Sequence, residues 1–270
     1  MALRSALINV MIGAARKAAR ALVHDFGEIE KLQVSKKGPA DFVSAADKRS
    51  EEILIKELMF ARPRYGALFE ESGAIEGADS SNRWIVDPLD GTLNFLHGIP
   101  HFCLTIALER DGEIFAGVTY DPLRDEMFWA EKGSGAYLNH SRLRVSSRDQ
   151  LENAIVATGL SPLQRHSYGT LSKELASLTP LTAGIRRLGS AALDLAYVAA
   201  GRFDGFWERG LHPWDVAAGI ILIQEAGGFV GEIGGGNNIL SNGNILGAND
   251  KLYDGIATTL ENSMHTTEYA

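Results

Sequence analysis

Leu3, Leu7, Val10, Met11, Ala14, Ala18 and Leu22 recur at intervals of three and four residues, with Arg16, Lys17 and Arg20 between them. That period predicts one long amphipathic helix over 2–31. Lys36-Lys37-Gly38-Pro39 follows as a basic, flexible loop. Ser44, with Asp47 three residues on, forms a capping-box variant and opens a helix to about Phe60, with Ile53, Leu54 and Leu58 turned inward. A turn rich in Pro, Arg and Gly leads to Leu68-Phe69-Glu70-Glu71-Ser72-Gly73. The short apolar run Trp84-Ile85-Val86 then predicts a buried strand.

From there the pattern changes to hairpins. The runs 102–109 and 113–120 flank Arg110-Asp111-Gly112, a hairpin signal, and 126–131 and 135–138 extend an antiparallel sheet. Further on, strands are expected at 153–158, 185–188 and 204–208, alternating with helices over 171–178 and 190–200. An apolar helix over 214–226 is stopped by Gly227-Gly228. A Gly/Asn-rich loop over 234–243 and a final helix over 251–260 complete the chain. The mixture predicts layered sheets and helices, organised as a single domain over 1–270 with a soft internal boundary near 145–152.

Composition narrows the function. A net charge of −8 argues against general nucleic-acid binding, which leaves a basic footprint. The single cysteine, Cys103, excludes an intramolecular disulfide and suits a reducing cytoplasm. Inside the apolar run Phe102 to Leu108 it reads as a small core hydrophobe. The N-terminus bears a faint likeness to a signal peptide, but its helical periodicity favours a surface helix. No segment reaches the ~18 uninterrupted apolar residues of a membrane span.

The stretch from Trp84 to Phe95 carries the chemistry. Its strand ends in Asp87 and Asp90, three residues apart, followed by Gly91-Thr92 and a second apolar run. Carboxylates at a strand end suit hard cations. A Gly-Thr opening a helix presents free N–H groups to an anion. Together they suggest metal-assisted chemistry on a phosphate. Each acid also has an ordinary reading. Asp-Pro and Asp-Gly are turn dipeptides, Glu70-Glu71 is a solvated loop pair, and Asp215 and Asp47 are helix-capping acids. His97 and His101 lie four apart, but Pro100 between them and the missing Glu speak against zinc. Gly133-Ser134-Gly135 and Gly234-Gly235-Gly236 are not nucleotide fingerprints, because neither opens a helix after a strand.

In combination the blocks resemble the inositol monophosphatase family, lithium-sensitive, magnesium-dependent phosphatases. The likeness rests on Asp41-Phe42-Val43-Ser44-Ala45-Ala46-Asp47, Glu70-Glu71-Ser72, the stretch 84–95, Gly189-Ser190-Ala191-Ala192, Trp214 to Gly219 and Glu225 to Gly228, in the family's order. Within the family the chain is most similar to bacterial inositol-1-monophosphatases of the extragenic-suppressor type. It departs in having Phe69 where glycine is usual before the acidic pair, and Ser44 where threonine is commoner.

The resemblance implies an α/β fold, the layered α-β-α-β-α sandwich shared with fructose-1,6-bisphosphatase, and a cytoplasmic homodimer. It implies that Glu70, Asp87, the Leu89 carbonyl, Asp90 and Asp215 bind two to three magnesium ions, Glu70 and Asp87 sharing the activating one. Asp47 and Thr92 would orient and deprotonate the attacking water, with Glu70 in support. Asp47, in the first turn of its helix, is expected to stay ionised. Asp90, Gly91, Thr92, Gly189, Ser190, Ala191, Glu208 and Asp215 would hold substrate, the Gly91 and Thr92 N–H groups on phosphate, Ser190-Ala191 facing the sugar-like part and Glu208 accepting from inositol hydroxyls. Lys36 falls in the family's mobile loop, though a solvated lysine is an equal reading. The implied reaction is hydrolysis of myo-inositol 1-phosphate by metal-activated water. Alternatives are another ester of the superfamily (3′-phosphoadenosine 5′-phosphate, fructose 1,6-bisphosphate, histidinol phosphate) or a non-enzymatic partnership with the transcription machinery. Neither membrane nor direct nucleic-acid binding is expected.

Overall fold

The computed structural model describes residues 4–29, 34–38, 41–160, 168–236 and 238–264, and for 34–38 and 41–43 the backbone alone. Helix α1 runs over Ala6–Phe26, started by Ser5, whose hydroxyl accepts the Ile8 N–H at 3.1 Å. Leu7, Met11, Ala14, Ala18 and Leu22 are buried, the stripe that the periodicity predicts. Residues 2, 3, 30 and 31 of the expected helix lie outside the described residues.

Strands β1 (Val34–Gly38) and β2 (Asp41–Ser44) form an antiparallel pair. The basic segment read as a loop is thus strand through Gly38, while Pro39 lies outside the described residues. A run of Ser, Lys and Gly has no apolar alternation to betray a strand, so here pairing overrides local pattern. Helix α2 (Ala45–Ala61) has the full capping box at Ser44 and Asp47. It buries Asp47, Ser50, Glu51, Leu54 and Leu58, a stripe that is polar in its first half and apolar in its second.

Next come β3 (Tyr65–Phe69), β4 (Gly73–Ile75), β5 (Asp79–Asp90), α3 (Thr92–Leu96), β6 (Cys103–Arg110), β7 (Glu113–Asp121), β8 (Glu126–Glu131), β9 (Gly135–Leu138) and β10 (Ser141–Arg142). Their eight-stranded sheet has the order β10-β9-β8-β7-β6-β5-β3-β4. The chain continues through β11 (Ile155–Thr158), α4 (Tyr168–Leu178), β12 (Gly184–Arg186), α5 (Ala191–Ala199), β13 (Gly205–Glu208), α6 (Pro213–Glu225), β14 (Phe229–Glu232), α7 (Ile239–Asn242), β15 (Ile245–Ala248) and α8 (Tyr253–Ser263). The second sheet has five strands in the order β12-β11-β13-β15-β14.

Helices α1 and α2 cover one face of the larger sheet, and α5 and α6 lie between the two sheets. Helix α8 packs on β15 and on α4, closing the far side. This is the expected α-β-α-β-α sandwich. The middle layer explains the largely apolar character of α5 and α6: a helix between two sheets is buried on both sides. Among the strands without a counterpart in the hydrophobic pattern are β14 and β15. Each is four residues long with a glycine inside.

Candidate functional site

The site forms where β5 ends. Asp87 pairs with Thr105 and Asp90 with Cys103, so three steps along β5 match two along β6. In a regular strand, residues three apart face opposite sides. A bulge absorbs the odd residue and lets both aspartates face the same way. Leu89 N–H donates to Asp87 Oδ1 at 2.8 Å and stabilises the irregular turn. From the buried face of α2, Ser50 Oγ donates to the Pro88 carbonyl at 2.8 Å.

Gly91 follows with φ +92°, where a Cβ would also sit 3.1 Å from the His101 carbonyl. Glycine is required there for both backbone and space. Helix α3, which it opens, is only five residues long. Its dipole is correspondingly small, so the N–H groups of its first turn matter more than its length.

Asp87, Asp90 and Asp215 each offer an oxygen within 4.8 Å of the others. Asp215 reaches this point from the first turn of α6, where its Oδ2 accepts the His212 N–H at 2.7 Å. Thr105 Oγ1 ties β6 to that helix by donating to the Trp214 carbonyl at 3.0 Å. Glu70 continues β3, with its N–H on the Val86 carbonyl at 3.2 Å, and its side chain hydrogen-bonds Asp87. Phe69, in place of the usual glycine, is fully buried and regularly paired with Val86, so it leaves the backbone course to Glu70 intact. Glu51 on α2 accepts the Glu71 N–H at 2.9 Å.

Asp47 is fully buried. Its Oδ2 accepts the Ser44 N–H at 2.8 Å and the Ser44 hydroxyl at 2.5 Å. Thr92 Oγ1 lies 3.1 Å from Asp47 Oδ1 and 3.0 Å from the Leu89 carbonyl. Its single proton serves one acceptor at a time. The expectation that a helix N-terminus keeps Asp47 in its ordinary charged range meets a stronger opposing effect. Burial moves its pKa upward, despite the lowering bonds from Ser44 and Thr92.

Ser190 and Ala191 do not open onto a large free space. Ser190 is buried, and its hydroxyl donates to Asp90 Oδ2 at 2.6 Å, beside the Ala192 N–H at 2.8 Å. The start of α5 therefore holds Asp90. Cys103, buried as expected, also approaches Asp90, with Sγ 3.8 Å from Oδ2. Gly189 is tied in by Asn94, whose Nδ2 donates to the Leu188 and His101 carbonyls, each at 2.8 Å. His101 lies 4.0 Å from Asp194. Glu208, at the end of β13, is buried and faces Asp194 and Asp90.

Carboxylates dominate the electrostatics of this pocket, with the Arg187 charge acting against them at Glu208. Asp87 is pushed well above the usual carboxylate range by burial and then by Glu70, Asp90 and Asp215. Asp215 is pushed well above it by burial and by Asp90. Asp90 is also raised by burial, against the bonds from Ser190 and Ala192. Burial first, and then neighbouring acids, raise Glu208 and Asp194 to about 8. Among the described residues, no ion pair joins Asp87, Asp90 or Asp215 to a cationic side chain. Closely spaced oxygen donors of like charge fit a hard divalent cation, which reverses the local repulsion.

Ser50, Glu51, Asn94 and Thr105 support the site and were not singled out by sequence reasoning. For Ser50 and Glu51 a signal exists: polar side chains on the inward stripe of α2, in phase with Asp47.

The comparisons with known proteins agree with this geometry. The family model described as "Inositol monophosphatase family" matches residues 3–265. Inositol-1-monophosphatase of Mesorhizobium japonicum is 57% identical over 247 residues, covering 92% of this chain and 93% of that protein. The Nus factor SuhB of Escherichia coli is 41% identical, covering 96% and 97%. The crystal structure of extragenic suppressor protein suhB from Bartonella henselae superposes with a TM-score of 0.93 at 54% identity, covering 95% of this chain and 99% of that one. A match over nearly the whole length, on a fold that brings the motif blocks together, means that the chain belongs to the inositol monophosphatase family.

Proposed function

We propose that the chain is a magnesium-dependent phosphatase acting on inositol monophosphate, with myo-inositol 1-phosphate as the reference substrate. The observation that carries this reading is the convergence of Asp87, Asp90 and Asp215, with Glu70 against Asp87. The similarity to a relative named inositol-1-monophosphatase supports the substrate.

Glu70, Asp87, the Leu89 carbonyl, Asp90 and Asp215 would hold two to three magnesium ions. When bound, magnesium neutralises phosphoryl oxygens and the leaving oxygen and makes water more acidic. The chain's own residues do the rest. When Thr92 donates to Asp47, the Leu89 carbonyl is released from Thr92, and the Thr92 hydroxyl can take a proton from water as it passes its own to Asp47. The raised pKa of Asp47 makes it a better proton acceptor than an exposed aspartate. The water oxygen joins phosphorus, the ester P–O bond breaks, and the inositol oxygen leaves and takes up a proton from solvent water. Gly91 and Thr92 N–H groups hold the phosphate. Glu208 accepts from the inositol hydroxyls, while Gly189, Ser190 and Ala191 wall that side and keep Asp90 oriented.

The protein works as one domain, in the cytoplasm and as a homodimer. The half-exposed Leu93 and Ile99 beside the site offer an apolar face for pairing. Among the described residues, no helix is long and apolar enough to cross a membrane.

Phosphate release from inositol 1-phosphate, 3′-phosphoadenosine 5′-phosphate, fructose 1,6-bisphosphate and histidinol phosphate, with magnesium and with chelator, tests this reading. Inositol 1-phosphate should rank first and the chelator should abolish turnover. If it ranked last, the reading would fail. The relative named Nus factor supports a second role, as a partner of the transcription machinery. A cellular phenotype that survives Asp87→Asn would favour that role.

A further inference from the structure

We propose that Gly159 is a specificity-determining position, kept free of a side chain so that the Glu208 carboxylate can lie against the backbone of the neighbouring strand and meet a polyol leaving group. This rests on the inositol reading above, which assigns Glu208 to the substrate hydroxyls.

Strands β11 and β13 run parallel, with Thr158 opposite Trp207, so Gly159 and Glu208 come next in line. A Cβ built on Gly159 would fall 1.9 Å from Glu208 Oε2, 2.3 Å from its Cδ and 2.4 Å from Oε1. The whole carboxyl group covers the place where a side chain would begin. The glycine is not needed for backbone conformation, since its φ lies outside the left-handed region. What it supplies is room.

The rest of β13 keeps Glu208 in place. Trp207, its neighbour, faces the opposite side, where its Nε1 donates to Glu174 of α4 at 3.0 Å. Arg209 Nε reaches the same Glu174 at 2.8 Å. The two flanking residues thus anchor the strand from the α4 side, and alternation turns Glu208 toward Asp90 and Asp194. Among the described residues, no hydrogen bond uses the Glu208 carboxylate, and Arg187 acts on it through its charge.

Adding a methyl group at 159 is cheap for folding and expensive for recognition. The atoms in its way belong to the far end of a flexible side chain. The carboxylate has to retreat until the gap reaches the 3.4 Å of ordinary van der Waals contact. A hydrogen bond to a charged acceptor does not survive such a shift.

The test compares kcat/KM for inositol 1-phosphate with that for p-nitrophenyl phosphate, whose leaving group has no hydroxyls to bind. In Gly159→Ala the ratio should fall roughly tenfold to a hundredfold, the loss of one charged hydrogen bond, mainly through KM. In a Glu208→Ala background the same change should have no further effect, because the group it displaces is gone. A ratio within about twofold of wild type, or an additive loss in that background, overturns the proposal. A wild type without preference for inositol 1-phosphate overturns the substrate reading instead. The crystal structure of Gly159→Ala then decides the role of Gly159: a displaced Glu208 carboxylate supports it, an unmoved one refutes it. Should Gly159→Ala fail to fold, Glu208→Asp, which draws the carboxylate back from Gly159, must show the same fall in ratio.

Discussion

Asp47 and Asp215 occupy the same local position, three residues into a helix start, each accepting the N–H of the residue that precedes its helix. Their surroundings make them different. Asp47 is enclosed, bonded by Ser44 and Thr92, and has no acid among the groups that shift it. Asp215 is half-buried, leans on one backbone N–H, and faces Asp90 and Glu208. In the proposed mechanism one motif therefore serves as a proton acceptor in one place and a cation ligand in the other. The choice lies in what the fold sets opposite the carboxylate: a hydroxyl or more carboxylates.

Asp215→Asn should have the largest effect. Asparagine can still accept the His212 N–H, so the helix start persists while the charge is lost. Loss of several kcal/mol of transition-state stabilisation predicts a fall in kcat/KM of roughly 10³-fold. The rise in melting temperature on adding magnesium should shrink with it. Asp47→Asn should lower kcat about 10²-fold, the scale of a general base, yet keep the magnesium-induced rise in melting temperature. If both variants lost that rise equally, the distinction between the two acids would collapse.

Acidity separates them further in chelator. An acid whose folded pKa is raised binds more protons folded than unfolded, so stability falls as pH rises through the window between the two values. For Glu208 that window runs from 4.5 to about 8, and for Asp194 from 3.8 to about 8. Asp87 and Asp215 shift in the same direction. The melting temperature without metal should therefore decline from mildly acidic to alkaline pH. Asp215→Asn should flatten the decline more than Asp47→Asn does. A melting temperature that climbed with pH would contradict the dominance of carboxylates in the pocket.

The smallest effect belongs to Ser44→Ala. It removes the hydroxyl that α2 uses as a cap, worth about 1 kcal/mol, or roughly 2–4 °C in a thermal melt.

Much of this arrangement was readable from the chain. The strand Trp84–Val86 and the acids after it were visible because a short apolar run meeting polar turn residues marks a strand end. The hairpin around Arg110-Asp111-Gly112 stood out because apolar runs flank a turn tripeptide. The convergence of Asp47, Glu70 and Asp215 on that strand end was legible only through family likeness, since no local pattern reports contacts over such separations. Elements stabilised by pairing alone escaped notice. Val34–Gly38 carries two lysines yet pairs with β2, and Ile245–Ala248 is a strand because β13 and β14 flank it. The direction of Ser190 also escaped, because only the packed α5 shows that its hydroxyl meets Asp90 before any ligand could.

The bulge between Asp87 and Asp90 has a genetic consequence. The extra residue leaves two carbonyl oxygens to side chains: that of Pro88 accepts from Ser50, and that of Leu89 from Thr92. An acceptor drawn from the main chain is written in residue count, not residue identity. No codon change at 89 to another amino acid deletes that oxygen, whereas an in-frame loss of one codon there removes the bulge and the oxygen together.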